Sequence, residues 1–535
     1  MVEMVRFKDY SFKYSNSEKL SLNKVDLTIN KGDLLLLIGR TGSGKSTLLK
    51  QIKPELVVGD ITSGSLECKT SDKSISYISQ FVDNQMITEC ARDEFNFILE
   101  NMGYSIDQRH IKIAEISSYF GIIELLDLKE AELSGGQKQL INLASALIVN
   151  PDILLLDEPT SQLDPIASDK LMQMIHKINS ELNVTIILVE HSLEKNVFFA
   201  NRLAIIEDGY IVLDENIDES LNKIFHDTFY RNYLPQIDRS YKELNFNEDI
   251  KLPINNRQFS TILNKNKKLI QYSDKSRENK EFDEVLNVKN LSFRFNFESK
   301  EIIDKVSFQL KKGNSYCIVG PNGVGKSTLV RVITQQLKQQ TGKILLDNKI
   351  VRNTNTDIYK KMFVLPQNPA LLFVSDTVFG EVEFQMKQNN PKETSQQVKS
   401  LLERYDLLTL KDISPYDLSG GQQEFLALVL GLIKNPEILF LDEPTKGLDP
   451  NMIIKLQDLI DEYLLKGGVV FANSHDLVFA TTFDYVSMMF DGKLSDFKYP
   501  IEFFKDKFFY TTEINKASRD SFPDALTWNN LLRNK

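Results

Sequence analysis

The sequence predicts an α/β chain in which one strand–loop–helix domain occurs twice in tandem. Three observations carry that reading. The pattern G-x-x-x-x-G-K-S occurs twice. Each occurrence follows a short apolar run, Leu34–Ile38 or Tyr316–Val319, that reads as a buried strand. The motifs that follow recur in the same order at a nearly constant offset.

The first loop reads Gly39-Arg40-Thr41-Gly42-Ser43-Gly44-Lys45-Ser46-Thr47, the second Gly320-Pro321-Asn322-Gly323-Val324-Gly325-Lys326-Ser327-Thr328. Glycines at this spacing let the backbone curl so that its N–H groups point at phosphate oxygens, and the helix opening near the lysine adds its positive end. Lys45 and Lys326 are placed to reach the β/γ-phosphates, and Ser46 and Ser327 to ligate Mg²⁺. A strand before the loop and a helix after it are the context that confirms such a motif.

The repeat is long. Lys45 and Lys326 are 281 residues apart, Gln80 and Gln367 are 287, Ser134 and Ser419 are 285, Asp157 and Asp442 are 285, and His191 and His475 are 284. Five motifs in one order with small drifts mean a duplicated domain rather than a short-period solenoid. The aromatic pairs Phe229-Tyr230 and Phe509-Tyr510 extend the similarity toward both tails.

The order P-loop, glutamine, Leu-Ser-Gly-Gly-Gln, apolar run with Asp-Glu, then histidine resembles the ABC (ATP-binding cassette) ATPases over about residues 3–230 and 284–510. The LSGGQ element is specific, because other P-loop proteins lack it. The resemblance implies two nucleotide-binding domains, each with a RecA-like parallel-sheet core, an antiparallel β-subdomain and a helical subdomain carrying the signature. The expected organisation is domain 1 over 1–230, a polar linker over 231–283, domain 2 over 284–510 and a tail over 511–535.

Asp157 and Asp442 end four-residue apolar runs, where a carboxylate can hold Mg²⁺. Glu158 and Glu443 follow and are expected to point elsewhere, because side chains alternate along a strand. In the resembled family this glutamate polarises the attacking water, His191 and His475 contact the γ-phosphate, and Gln80 and Gln367 approach the Mg²⁺ and the water. Ser134-Gly135-Gly136-Gln137 and Ser419-Gly420-Gly421-Gln422 precede helical patterns, so each is an anion site of the P-loop kind. By resemblance each caps the γ-phosphate held by the other copy, so the two copies of one chain enclose two ATPs head to tail. Asp164 and Asp449 are then D-loop residues at that interface. Tyr14 and Phe295 match the aromatic that stacks on adenine, and Phe295 departs from the commoner tyrosine.

Composition agrees with a large globular chain: 535 residues, 42% hydrophobic, 26% charged. A net charge of −10 disfavours broad nucleic-acid binding. No run of about 18 apolar residues predicts a membrane span, and Met1–Phe7 has no signal-peptide character. Cys68, Cys90 and Cys317 have no metal spacing and suit a reducing compartment.

Without a span, the object moved by ATP lies on another chain. Asp83-Asn84-Gln85 with Asp93-Glu94 resembles the D-N-Q…D-E run of energy-coupling factor (ECF) transporter ATPases. The second copy, Asn368 to Glu381, keeps the frame but loses D-N-Q. That resemblance implies an importer motor on the cytoplasmic face of the membrane, with transmembrane T and substrate-binding S partners and a vitamin, vitamin precursor or metal ion as cargo. The alternatives are the ATPase of a sugar importer and a soluble ABC-F-type translation factor. Pro253, many asparagines and no sustained heptad argue against the helical arm that the last requires.

Overall fold

The computed structural model describes residues 2–15, 18–80, 85–246, 250–273, 283–296, 299–351, 358–366, 368–390, 392, 394–505 and 507–534. The chain forms two compact units, Met1–Asp238 with Glu248–Pro253 and Arg239–Asn247 with Ile254–Lys535.

Among its described residues the first unit holds nine strands: β1 (Glu3–Tyr14), β2 (Leu22–Asn30), β3 (Leu34–Ile38), β4 (Gly59–Cys68), β5 (Ile75–Ile78), β6 (Ile153–Asp157), β7 (Thr185–Val189), β8 (Arg202–Glu207) and β9 (Tyr210–Asn216). Five of them make a parallel sheet in the order β5-β6-β7-β3-β8, with β9 antiparallel at its edge. Strands β3, β6 and β7 are buried at every position, which is why they read as unbroken apolar runs. In a separate antiparallel sheet, β2-β1-β4, strand β2 alternates buried and more exposed positions, and the apolar residues of β1 and β2 pack on the first sheet. Helices Ala91–Asn101, Ile106–Phe120 and Gly135–Leu147 form the helical part.

The second unit repeats this plan. Its strands are β10 (Ile270–Tyr272), β11 (Glu284–Phe293), β12 (Ile303–Lys311), β13 (Ser315–Val319), β14 (Thr341–Leu346), β15 (Lys349–Ile350), β16 (Met362–Leu365), β17 (Ile438–Asp442), β18 (Val469–Asn473), β19 (Tyr485–Phe490), β20 (Lys493–Leu494) and β21 (Leu531–Arg533). The order β16-β17-β18-β13-β19-β20 matches the first sheet strand for strand, and β12-β11-β14-β15 matches the antiparallel one. The loop-bearing strand is therefore central in each sheet. Cys317 lies fully buried in β13, as a small core residue.

The expected polar linker differs from the structure over Gln236–Tyr272. Helices Gln236–Leu244 and Asn256–Asn266 form there. Phe259, Ile262 and Leu263 fall at i, i+3 and i+4, a buried stripe that the surrounding Asn and Lys residues obscure in the sequence. Helix Asn256–Asn266 packs on Glu513–Ser518, and Asn256 Nδ2 donates to Glu513 Oε2 at 2.7 Å. Strand β10 pairs antiparallel with β21, Tyr272 opposite Leu531. Arg239 stacks over the Trp528 ring at 3.8 Å. Ile254–Tyr272 and the tail thus make one small module of the second unit.

Phe259→Ala should remove about 3–5 kcal/mol from that module. Urea denaturation and proteolytic nicking within residues 254–272 measure it, and unchanged protection would mean that the stripe is not packed.

Candidate functional site

Each P-loop sits where the carboxyl end of the central strand meets a helix, Lys45–Gln51 after β3 and Lys326–Ile333 after β13. Gly44 and Gly325 take φ of 105° and 106°, which only glycine adopts freely. A Cβ on Gly39 would lie 2.1 Å from the Ile206 carbonyl oxygen. Lys45 Nζ donates to the carbonyls of Gly39 and Arg40, both at 3.0 Å; Lys326 Nζ donates to those of Gly320 and Pro321, at 2.8 and 3.0 Å. The lysine thus crosses the mouth of its own loop. The Ser43 hydroxyl is buried inside the first loop with no hydrogen-bond partner. A ring of backbone donors with a spare hydroxyl fits a polyphosphate.

Near each loop the strand one place beyond its neighbour in the sheet, β6 or β17, presents its carboxylates. Ser46 Oγ donates to Asp157 Oδ1 at 2.8 Å, and Tyr77 Oη donates to Oδ2 at 3.0 Å. In the second unit Ser327 hydrogen-bonds Asp442, and Asn473 Nδ2 donates to Asp442 Oδ1 at 3.2 Å. Burial, then the adjacent Glu158 charge, raises the pKa of Asp157 against the Ser46 and Tyr77 bonds. A hydroxyl beside a carboxylate fits an Mg²⁺ ion that draws its remaining ligands from phosphate and water. Among the described residues no cluster of three or more His, Cys, Asp or Glu forms a metal cage.

Glu158 and Glu443 do not take their direction from strand alternation. They lie one residue beyond β6 and β17 with φ of 50° and 55°, left-handed values that cost a non-glycine residue free energy. The kink is held because Glu158 N–H donates to Val189 O at 3.0 Å and Glu443 N–H to Asn473 O at 2.9 Å. It turns both side chains toward the histidines. His191 Nε2 lies 2.5 Å from Glu158 Oε1, and Gln80 Nε2 donates to Oε2 at 2.6 Å. His475 meets Glu443 through Nδ1 at 2.6 Å and through its backbone N–H at 3.1 Å, and Lys326 Nζ is 3.7 Å from Glu443 Oε1. Burial works to raise the glutamate pKa in both units, but His191 and Lys45, or His475 and Lys326, hold it below its ordinary value. Burial opposes a charged His475, yet Glu443 and Asp476 outweigh it and raise its pKa. Asp83, Asn84 and Gln367 lie outside the described residues.

Ser134 caps helix Gly135–Leu147: its hydroxyl accepts from Gln137 N–H at 3.3 Å while Gln137 Oε1 accepts from Ser134 N–H at 2.8 Å. Ser419 and Gln422 repeat this capping box at Gly420–Ile433. The signature glutamines therefore have a structural task the sequence reading did not assign, though S-x-x-Q before an apolar run signals it. Asp164 and Asp449 likewise cap helices Pro165–Leu182 and Pro450–Leu465, a role that Asp-Pro announces.

The two aromatics expected at the adenine differ. Tyr14 Oη shares a hydrogen bond with Thr47 Oγ1 at 3.1 Å, beside the first loop. Phe295 is exposed, edge-on to Phe293. Arg40 turns its side chain away to Glu207, 3.0 Å, and stacks on Phe229 at 3.8 Å. Pro321 replaces Arg40 in the second loop, and Phe509 is 80% exposed.

Sequence reasoning also missed Glu190, fully buried between Val189 and His191. It accepts from the Thr160 hydroxyl at 2.8 Å, and burial pushes its pKa up to about 8. Glu424, also pushed to about 8 by burial, stands where the first unit has Gln139.

A family profile described as "ABC transporter" matches residues 22–161 and 303–446, which contain the whole loop-to-carboxylate span of each unit. The chain belongs to the ABC transporter ATP-binding family. A Bacillus cereus protein named for ABC transporter ATP binding is 34% identical over 99% of this chain and 97% of its own. A Bacillus subtilis protein named for HMP/thiamine import ATP binding, YkoD, is 29% identical over 94% and 93%. The fold is also that of ribosome-bound archaeal ABCE1, at TM-score 0.62 with 17% identity over 98% of this chain and 84% of that one. RNase-L Inhibitor follows at TM-score 0.59 and 16% identity, over 99% and 96%. The chain is an ABC-type ATPase with two nucleotide-binding domains. No helix among its described residues is long and apolar enough to cross a membrane.

Glu190 gives a pH signature. Its folded pKa is raised from 4.5 to about 8, so the folded state keeps a proton that the unfolded chain releases. Its contribution is fully present below pH 4.5 and declines until about pH 8. Glu190→Gln should keep the Thr160 bond and flatten that part of the stability profile in denaturation between about pH 5 and pH 9.

Proposed function

We propose that this ATPase is the motor of a membrane importer of the ECF type. Basal chemistry follows from the groups described. Glu158 or Glu443 takes hydrogen-bonded hold of the attacking water, His191 or His475 keeps that carboxylate ionised and aimed, and the P-loop lysine with the backbone N–H groups stabilises charge on the transferred phosphoryl group. The serine–aspartate pairs Ser46–Asp157 and Ser327–Asp442 would hold Mg²⁺, whose charge would offset that of the phosphates. By the family resemblance, Tyr14 stacks on the base in the first site. By the family resemblance, each Ser-Gly-Gly turn completes the site of the other copy.

One observation carries the transport reading. In both units a buried glutamate pins a loop that leaves an apolar side chain in solvent. Glu94 Oε2 accepts from Ile87 and Thr88 N–H, both at 3.0 Å, and Glu381 Oε1 accepts from Val374 and Ser375 N–H. Ile87 is 76% and Val374 68% exposed; Phe97 and Phe384, one turn beyond those glutamates, are 44% and 47% exposed. A matched pair of presented apolar residues beside each glutamine loop suits a greasy partner segment, such as the cytoplasmic end of a membrane subunit. The D-N-Q run and the relative named for thiamine import support the ECF type, with T and S components as partners at the cytoplasmic face.

Ile87→Glu with Phe97→Glu should abolish co-purification of membrane subunits from detergent extracts while basal ATP hydrolysis survives. Recovery of the chain with ribosomes, and none with membranes, would overturn the transport reading in favour of a translation factor. Glu158→Gln and Glu443→Gln should each lower turnover at least about a hundredfold at their own site, as loss of a base does. Single-turnover ATP hydrolysis in each variant measures this, and an unaffected rate would make that site regulatory.

A further inference from the structure

The two carboxylates that accompany the P-loops are held from opposite sides. Strand β6 runs between β5 and β7, and β17 runs between β16 and β18. Tyr77 is paired with Leu155 on β5–β6, and Val364 with Phe440 on β16–β17, so Val364 is the counterpart of Tyr77. Asp157 is paired with Val189 and Asp442 with Asn473, so Val189 is the counterpart of Asn473. In the first unit the donor comes from β5 and reaches Asp157 Oδ2 at 3.0 Å; in the second it comes from β18 and reaches Asp442 Oδ1 at 3.2 Å. Each unit has an apolar valine where the other has its donor.

We propose that Tyr77 and Asn473 are the positioning residues for Mg²⁺ in their respective half-sites. The inference rests on reading Ser46–Asp157 and Ser327–Asp442 as the magnesium pairs. A carboxylate on the last residue of a buried strand turns freely about its last bond when only the serine holds it. A second donor fixes its plane, so that the serine hydroxyl and one carboxylate oxygen converge on the same point. That donor also lowers the cost of keeping the carboxylate ionised next to Glu158 or Glu443. The phenol is a long lever anchored on the strand that leads to Gln80, whereas Asn473 is a short amide two residues before His475.

The test uses the full chain carrying Lys326→Ala, so that fluorescent mant-ATP reports the first half-site, with Mg²⁺ as the titrant. Tyr77→Phe should raise the Mg²⁺ midpoint about tenfold, the loss of one hydrogen bond to a charged group, and leave binding in EDTA unchanged. Adding Val189→Asn should bring the midpoint back, by supplying the donor from the other strand. In the Lys45→Ala chain, Asn473→Val should raise the second midpoint in the same way. Equal changes with and without Mg²⁺, or unchanged midpoints in both single variants, would overturn the proposal. Failure of the parent chain to respond to Mg²⁺ would instead remove the magnesium reading itself.

Discussion

Two carboxylates side by side at the end of a buried strand are the constraint that organises each half of this molecule. Asp157 and Glu158 are both nearly excluded from solvent, as is the Lys45 ammonium beside them. Left alone, such a pair would neutralise itself by taking up protons. The fold opposes this by sending Asp157 to hydroxyl donors and Glu158 to His191 and Lys45. The left-handed residue at Glu158 performs the separation. It breaks the strand direction at the one place where two adjacent acidic side chains need different surroundings. The parallel sheet supplies the flanking strands whose ends deliver Tyr77, His191 and Lys45 to the same corner.

Duplication has preserved some of these devices and let others drift. The capping boxes at Ser134 and Ser419, the helix caps at Asp164 and Asp449, and the kinked glutamates are the same in both units. These share a property: each fixes a backbone path. The differences lie in side chains that support a functional group without being one. Glu190 becomes Ser474, Gln139 becomes Glu424, and Arg40 becomes Pro321. Asymmetry of this kind leaves the chemical groups alone and changes their surroundings.

Much of the site was legible because phosphate chemistry needs particular residues at fixed spacing. The P-loops, the Asp-Glu pairs and the histidines could be placed from their offsets, and the buried strands announced themselves as apolar runs. The glutamate kink was not legible, because alternation is the default for a strand and nothing local signals a positive φ at Glu158. Tyr77 and Asn473 were also hidden, since their roles exist only across strand pairings distant in sequence. The folded part of the linker was missed for a compositional reason. Phe259, Ile262 and Leu263 are few among Asn and Lys, and their partner helix, Glu513–Ser518, lies near the far end of the chain.

The pairing of β10 with β21 has a consequence for how the chain is made. Ser273 O accepts from Asn530 Nδ2, a partner 257 positions later. The sheet and antiparallel layer of the first unit are complete in sequence by Asn216, so they can form while the rest is being synthesised. Helix Asn256–Asn266 has no such option. It must wait, with its apolar stripe uncovered, until the second unit has emerged and the last helix and strand arrive. During that interval its stripe is open to misassociation or to a chaperone's grip. The small module acts as a clasp, fastened only when translation of the second domain is finished.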